Sequence, residues 1–197
     1  KRLCWISMER DGYEADKQRL IVAELETSDA CEAMPEVRSI QDITVDFRYN
    51  ASSPVWGEDS KSIYFASLAE GLQGMFRAYE DAESWEIDRI TGEDMWYDFG
   101  SPFHVAEDAD GNATLYTTWC SMDFPTELVA VKYSDNGVEY TPITHENDHI
   151  LSQLAEHETE ARWLDTVDGK KMLTWVLYPP QFDSSKTYPA ITICLGG

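Results

Sequence analysis

Two histidines and a glutamate in the last third of the chain have the spacing of a zinc site. His145, Glu146 and His149 match the pattern H-E-x-x-H, which on a helix places both imidazoles on one face and leaves the glutamate as general base. Asn147 and Asp148 are poor residues for a helix interior, and the segment follows a predicted strand. A polar surface connection is therefore favoured, and a zinc metallopeptidase is kept as an alternative. The favoured interpretation needs no cofactor.

A second stretch that could contribute to catalysis lies in the final residues. Ala190 to Cys194 is apolar on both faces apart from Thr192 and is followed by Leu195 and the pair Gly196-Gly197. This pattern predicts a strand buried in an α/β sheet. A glycine pair directly after such a strand is where an active-site loop would begin.

Turn signals divide the residues that lead to this stretch. Val167 to Lys170 contains Asp-Gly, the pair that supplies the positive φ angles of a tight hairpin. Pro179-Pro180 ends the next strand, because proline cannot donate to a ladder, and Tyr188-Pro189 precedes the third. Three strand-like runs separated by turns are therefore predicted.

The composition excludes several classes of partner. The net charge is −22, whereas binding to phosphate groups requires clustered lysine and arginine, so the charge argues against nucleic acid and anionic membranes as partners. No apolar run approaches the ~20 residues that span a bilayer. The four cysteines form no C-x-x-C pair and are predicted to be free thiols.

A repeated strand pattern occupies the middle of the chain. Ser53 to Trp56 reads as a short strand, Gly57 to Lys61 as a polar turn, and Ile63 to Ser67 as a β-rich strand. Two further strands are predicted at Gly74 to Glu80 and at Ser84 to Thr91. Together they predict four short antiparallel strands joined by tight turns.

The same pattern returns later in the chain. Gly100 to Val105 echoes the first strand, with its Ser-Pro pair 48 positions after the earlier one. Strands are predicted at Ala113 to Trp119, Glu127 to Tyr133 and Gly137 to Ile143. A period of roughly 40–50 residues with four strands per unit is typical of propeller blades. With Leu3 to Glu26 as part of an earlier blade, the sequence predicts an all-β chain with roughly two and a half blades.

Several of these anchors together resemble a known family. The chain is similar to the prolyl oligopeptidase family of serine peptidases, in particular its bacterial dipeptidyl-peptidase-like and acylaminoacyl-peptidase-like members. The matching residues are Ser53-Pro54-Val55-Trp56 with Asp59-Ser60-Lys61, Asp168-Gly169-Lys170, Trp175, Pro179-Pro180, Phe182-Asp183, Tyr188-Pro189 and Gly196-Gly197.

The resemblance implies two domains. Residues 1–158 would be the C-terminal part of a β-propeller, and residues 159–197 would be the first strands of an α/β-hydrolase domain. The backbone amides of Gly196 and Gly197 would then contribute to the loop that forms the oxyanion hole. Leu195 stands where the family usually has histidine, which affects the side chain of that loop and leaves its backbone role intact.

The resemblance also implies that the nucleophile lies elsewhere. These residues contain no Gly-x-Ser-x-Gly elbow, so the chain by itself is predicted to be inactive, while the parent protein would be a serine peptidase acting on peptides. The propeller would gate and position those peptides. A second alternative is a propeller used only for binding.

The resemblance and the strand edges also predict a location and a mode of assembly. Resemblance to bacterial relatives implies a periplasmic or secreted protein. Unpaired strand edges, which neighbouring blades would cover, predict self-association of the chain.

Overall fold

The chain is built almost entirely of antiparallel strands. The computed structural model describes residues 1–26, 35–82, 84–91, 97–102, 104–108, 111–134 and 136–194. It divides into two compact units, Lys1–Asp148 and His149–Gly197. No helix within those ranges is both long and apolar enough to cross a membrane.

The elements follow one another along the chain in a simple order. They are β1 (Arg2–Ser7), β2 (Arg19–Glu26), β3 (Glu36–Asp42), β4 (Ser52–Trp56), β5 (Ser62–Ala69), β6 (Leu72–Asp81), β7 (Ser84–Arg89), β8 (Asp98–Phe99), β9 (His104–Glu107), β10 (Ala113–Cys120), β11 (Glu127–Ser134), β12 (Gly137–Pro142), α1 (Asp148–Leu151), β13 (Thr159–Asp165) and β14 (Lys171–Leu177).

The second sheet is a four-stranded meander in the order β4-β5-β6-β7. Its turn between β4 and β5 closes on Asp59, whose Oδ1 accepts the backbone N–H groups of Lys61 at 2.7 Å and Ser62 at 2.8 Å. A short acidic side chain that takes up turn amides in this way is the reason aspartate favours turns. The turn and all four strands lie where the sequence predicted them.

The third sheet repeats the meander, but its first strand is split. β8 and β9 both pair with β10, and the order continues through β11 to β12. Between the two halves, Gly100 N–H donates to Thr118 O at 2.8 Å and Thr117 Oγ1 donates to Gly100 O at 2.9 Å. Pro102 cannot donate to a ladder, so the strand breaks around it.

The first sheet has the order β1-β2-β3, with β2 in the centre. Leu20, Ile21, Val22 and Ala23 of β2 are all buried, as expected for a strand covered on both faces. β1 and β2 occupy the stretch from Leu3 to Glu26 that the sequence predicted to be part of an earlier blade, and β3 follows them from Glu36.

Two apolar cores lie on opposite faces of the second sheet. Phe65 and Phe76 pack with Leu20 and Val22 of the first sheet in one core, whereas Tyr64 belongs to a core that includes residues of the third sheet. Neighbouring residues of β5 enter different cores because successive side chains of a strand point to opposite faces. The predicted fold class, an all-β chain of successive blade-like antiparallel sheets, is confirmed.

The second unit contains a hairpin formed by β13 and β14. Its turn uses Gly169 at a φ of 78°, in agreement with the predicted Asp-Gly hairpin. The predicted strand from Ala190 to Cys194 was wrong: these residues form no strand, and Ile191 is 92% exposed. A strand needs a hydrogen-bonding neighbour, and none of the described strands pairs with this segment.

Candidate functional site

The predicted oxyanion loop lies outside the described residues. Gly196 and Gly197, together with Leu195, belong to the part of the chain whose structure is not described. Their role stays a prediction. The residues just before them, from Ala190 to Cys194, are exposed and belong to no strand.

The H-E-x-x-H segment does not form the helix that a zinc site of this type requires. Helix α1 begins at Asp148, so His145 and Glu146 precede it, and the helix is only four residues long. The Nδ1 atom of His145 lies 3.3 Å from Asp148 Oδ2. Across the described residues, no group of three or more potential ligands could hold a metal ion. The zinc alternative is therefore unsupported.

A buried carboxylate explains the conformation of this segment. Glu127, in β11, accepts hydrogen bonds from the hydroxyl of Thr144 and from the side-chain amide of Asn147 at 2.8 Å. The backbone N–H of Asn147 donates to the same carboxylate at 3.2 Å. The hydrogen bonds from Thr144, and then those from Asn147, lower the pKa of Glu127. The segment is thus fixed to the third sheet as a connection.

A polar arrangement of several side chains joins the second and third sheets. We call it the seam cluster, and it consists of Asp59, Ser62, Tyr64, Arg77 and Glu107. At its centre, Glu107 of β9 accepts the hydroxyl proton of Tyr64 at 3.0 Å and the backbone N–H of Asp59 at 2.8 Å. One carboxylate therefore binds both a strand and a turn of the neighbouring sheet.

The rest of the cluster supports these contacts. Arg77 donates to Ser62 Oγ from Nε at 3.1 Å and from Nη2 at 2.8 Å, and its guanidinium lies 5.1 Å from the ring centre of Tyr79. Ser62 Oγ in turn donates to Asp59 Oδ2 at 3.0 Å. The chain of hydrogen bonds leads from the turn to the guanidinium.

Burial and charge set the protonation states of the cluster. The pKa of Tyr64 is raised, first by burial and also by the carboxylate of Glu107, against the lowering effect of Arg77. For Asp59, burial is the largest effect and raises the pKa, but hydrogen bonds from Lys61 and Ser62 outweigh it and the net pKa is lowered. The phenol stays neutral and the carboxylate stays ionised at neutral pH.

Gly57 of the second sheet lies very close to the side chain of Glu107 in the third sheet. A Cβ atom at this position would lie 2.7 Å from Glu107 Oε1 and 3.1 Å from Asp59 Oδ1. A side chain at this position would require the carboxylate of Glu107 to shift. Another hydrogen bond, from Tyr133 Oη to Asp88 Oδ2 at 3.3 Å, joins the same two sheets.

The chemistry of the seam cluster is structural. Its carboxylates accept hydrogen bonds from turn amides and hydroxyl groups, and its guanidinium is engaged by Ser62. Inspection of the sequence did not identify Tyr64 and Glu107 as partners. One sequence feature could have indicated this partnership. Glu107 stands next to the second Asp-rich turn, which resembles the turn at Asp59 in the earlier repeat.

Comparison with known proteins gives the chain its relatives. It is 36% identical over 197 residues to dipeptidyl-peptidase 5 of Porphyromonas gingivalis and 38% identical over the same length to dipeptidyl-peptidase 5 of Porphyromonas endodontalis. This chain is a relative of the dipeptidyl-peptidase 5 proteins. The resemblance to bacterial dipeptidyl-peptidases is thereby confirmed over the whole chain.

The similarity to dipeptidyl-peptidase 5 covers all of this chain but only 26% and 25% of the two relatives. The chain thus spans about a quarter of the length of these curated relatives. No protein-family model matches the sequence. Among solved structures, oligopeptidase B of Trypanosoma brucei aligns with 95% of the chain and 26% of its own, at 15% identity and a TM-score of 0.46.

Proposed function

We propose that this chain is a non-catalytic segment of a serine peptidase of the dipeptidyl-peptidase type. Its role there is to form part of the propeller that gates and positions peptide substrates. The observation that carries the proposal is the 36% identity to a dipeptidyl-peptidase along all 197 residues.

The domain assignment is part of the proposal. Residues 1–158 are the C-terminal part of the propeller, and residues 159–197 begin the α/β-hydrolase domain. Successive antiparallel sheets with shared apolar cores support the first assignment. The β13–β14 hairpin, followed by the Tyr-Pro and Gly-Gly residues, supports the second.

The glycine pair has a specific role in this proposal. Backbone N–H groups of the loop containing Gly196 and Gly197 donate to the oxyanion of the tetrahedral intermediate. The nucleophilic serine is supplied by another part of the peptidase. A backbone donor does not depend on the side chain of Leu195, so its replacement of the usual histidine is compatible with that role.

Hydrolysis of a dipeptidyl chromogenic substrate tests the proposal. The purified 197-residue chain and the full-length protein that contains it are assayed side by side, with and without a serine-directed inhibitor. We expect inhibitor-sensitive turnover from the full-length protein only. Turnover by the 197-residue chain would overturn the non-catalytic role. A full-length protein without turnover would overturn the peptidase and favour a binding module.

A further inference from the structure

Two buried side-chain groups of the second sheet have no hydrogen-bond partner in the protein. The hydroxyl of Ser67 in β5 and the Nε–H group of Arg89 in β7 are both shielded from solvent, and neither finds a partner among the residues that the structure describes. Ser67 as a whole is only 1% exposed. Buried polar groups are normally hydrogen-bonded, because an unpaired one costs the full penalty of its desolvation. These two groups therefore need a partner of another kind.

Both groups lie on the same face of the second sheet. The strand register pairs Ser67 with Gly74 across β5 and β6. It pairs Phe76, two residues after Gly74, with Arg89 across β6 and β7. Paired residues point to the same side of a sheet, and so do residues two apart along a strand. Ser67 and Arg89 therefore both face the core that contains Phe76, with Gly74 of the middle strand between them.

Gly74 has no side chain to separate the two groups. A Cβ atom at this position would lie 3.8 Å from Arg89 Nε and 2.8 Å from the hydroxyl oxygen of Thr91. That hydroxyl accepts the backbone N–H of Met75 at 3.3 Å, and a threonine hydroxyl can also donate its hydrogen. Three side chains that can form hydrogen bonds thus surround Gly74, namely those of Ser67, Arg89 and Thr91.

The charge of Arg89 is already opposed by a carboxylate. Its Nη1 atom lies 3.9 Å from Glu70 Oε2, and its guanidinium lies 5.9 Å from the ring centre of Phe76. The hydroxyl of Tyr49 donates to the other oxygen of Glu70 at 3.4 Å. These contacts hold the guanidinium in place but give its Nε–H group no acceptor. The partner of Nε must therefore accept a hydrogen bond and need not carry a charge.

We propose that one buried water molecule bridges Arg89 Nε, Ser67 Oγ and Thr91 Oγ1. Its oxygen accepts hydrogen bonds from the Nε–H group of Arg89 and from the hydroxyl of Thr91, and it donates one hydrogen to Ser67 Oγ. Buried waters typically form about three such bonds to polar groups that otherwise lack partners. The water joins β5 to β7 across β6, and this role does not depend on whether the chain belongs to an active peptidase.

A water molecule suits this place better than an anion. Chloride could accept the same hydrogen bonds, but it would add a negative charge near Glu70 in a chain whose net charge is −22. Moving an ion into the interior of a protein also costs far more than moving a neutral polar molecule that finds hydrogen bonds there. The two ligands can be told apart by experiment.

Crystals of the protein grown in sodium bromide test the proposal directly, at a resolution that reveals ordered water. We expect a density peak without anomalous signal within hydrogen-bond distance of Arg89 Nε, Ser67 Oγ and Thr91 Oγ1. An anomalous bromide peak at that place would assign the site to an anion and overturn the proposal. A direct hydrogen bond between Ser67 and Arg89, with no peak between them, would overturn it as well.

Ser67→Ala gives a test in solution. Because the hydroxyl is one partner of the water, its removal should lower the folding equilibrium constant from urea denaturation about threefold to tenfold. A hydroxyl without a water is an unpaired buried group, so its removal would leave the constant unchanged or raise it, and that result would overturn the proposal. Ser39→Ala, on the exposed strand β3, is the matched control and should leave the constant unchanged.

Arg89→Lys separates the bridge from a local effect at Ser67. Lysine keeps a positive charge near Glu70 but has no Nε–H group. If Ser67 and Arg89 share one water, both substitutions remove bonds of the same molecule, so Ser67→Ala should lower the folding constant less in the Arg89→Lys background than in the parent. The same fold-change in both backgrounds would show that the two groups share no partner and would contradict the bridge.

Discussion

The hydroxyl of Tyr64 donates to Oε1 of Glu107 across 3.0 Å, although the two residues are 43 positions apart in sequence. Tyr64 is fully buried in β5 of the second sheet, and Glu107 lies at the end of β9 in the third. The same carboxylate binds the turn at Asp59. This contact holds the second and third sheets together at one point.

Removing the hydroxyl should weaken the first unit. Tyr64→Phe leaves the ring in the core but deletes one donor to an ionised carboxylate, and we expect a loss of about 1–2 kcal/mol in the free energy of unfolding. Urea denaturation measures the change. Tyr116→Phe, on a half-exposed tyrosine of the third sheet, is the matched control and should cost less than about 0.5 kcal/mol. Equal losses in the free energy of unfolding for the two variants would contradict a stabilising role of the seam cluster.

Gly57 and Glu107 should be energetically coupled. Gly57→Ala places a methyl group where the carboxylate lies, so Glu107 must move and give up its hydrogen bonds, at a cost of about 1–3 kcal/mol. In a Glu107→Ala background the same substitution meets less obstruction, and we expect its cost to fall by about 1 kcal/mol or more. A double-mutant cycle in urea provides the measurement. Strict additivity would show that the close approach does not occur.

Lowering the pH should weaken the attachment of the segment from Thr144 to Asn147, which is held to the third sheet by hydrogen bonds to Glu127. Hydrogen bonds from Thr144 and Asn147 lower the folded-state pKa of Glu127 below its ordinary value of 4.5. A carboxylate with a depressed folded pKa stabilises the fold above its unfolded pKa, and this contribution is lost as pH falls through the folded value. Amide exchange at Asn147, corrected for its intrinsic pH dependence, should therefore lose protection below pH 4.5.

Glu127→Gln supplies the control for this pH effect. The amide keeps the size of the side chain but cannot ionise, so protection at Asn147 should be lower than in the parent at neutral pH and nearly independent of pH. A variant with the same acid response as the parent would assign the titration to another group.

Thiol labelling should separate Cys4 from Cys194. Burial raises the pKa of Cys4 to about 12, so its reactive thiolate is scarce at neutral pH, whereas Cys194 is exposed. Iodoacetamide at neutral pH should modify Cys194 first and Cys4 only after urea is added. Rapid modification of Cys4 under native conditions would contradict its burial in the first sheet. Cys31 lies outside the described residues.

Local sequence signals predicted the individual sheets well. The Ser-Pro strands, the turn at Asp59 and the Asp-Gly hairpin at Gly169 each depend on neighbouring residues, so their position could be read directly. The internal repeat extended this to the third sheet. The break in its first strand was missed although Pro102, which causes it, stands in the sequence; the hydrogen bond from Thr117 Oγ1 to Gly100 O, which comes from across the sheet, had no local signal.

Long-range contacts could not be predicted in the same way. Nothing near Tyr64 indicates that Glu107 is its partner, because the pairing arises only when two sheets pack. The apolar run from Ala190 to Cys194 illustrates the reverse error: its composition favours a strand, but composition cannot supply the neighbouring strand it needs. For the candidate site, Gly196 and Gly197 remain predictions from resemblance.

The structure of the full-length protein, determined by crystallography or electron microscopy, tests the central claim most directly. We predict that the sheets built from β1–β3, β4–β7 and β8–β12 are three consecutive blades around one central axis, with Tyr64 bonded to Glu107 between the second and third. Residues 159–197 should lead into an α/β-hydrolase domain. Sheets closed into a two-layer sandwich without a common axis, or a hairpin that enters no second domain, would contradict the account.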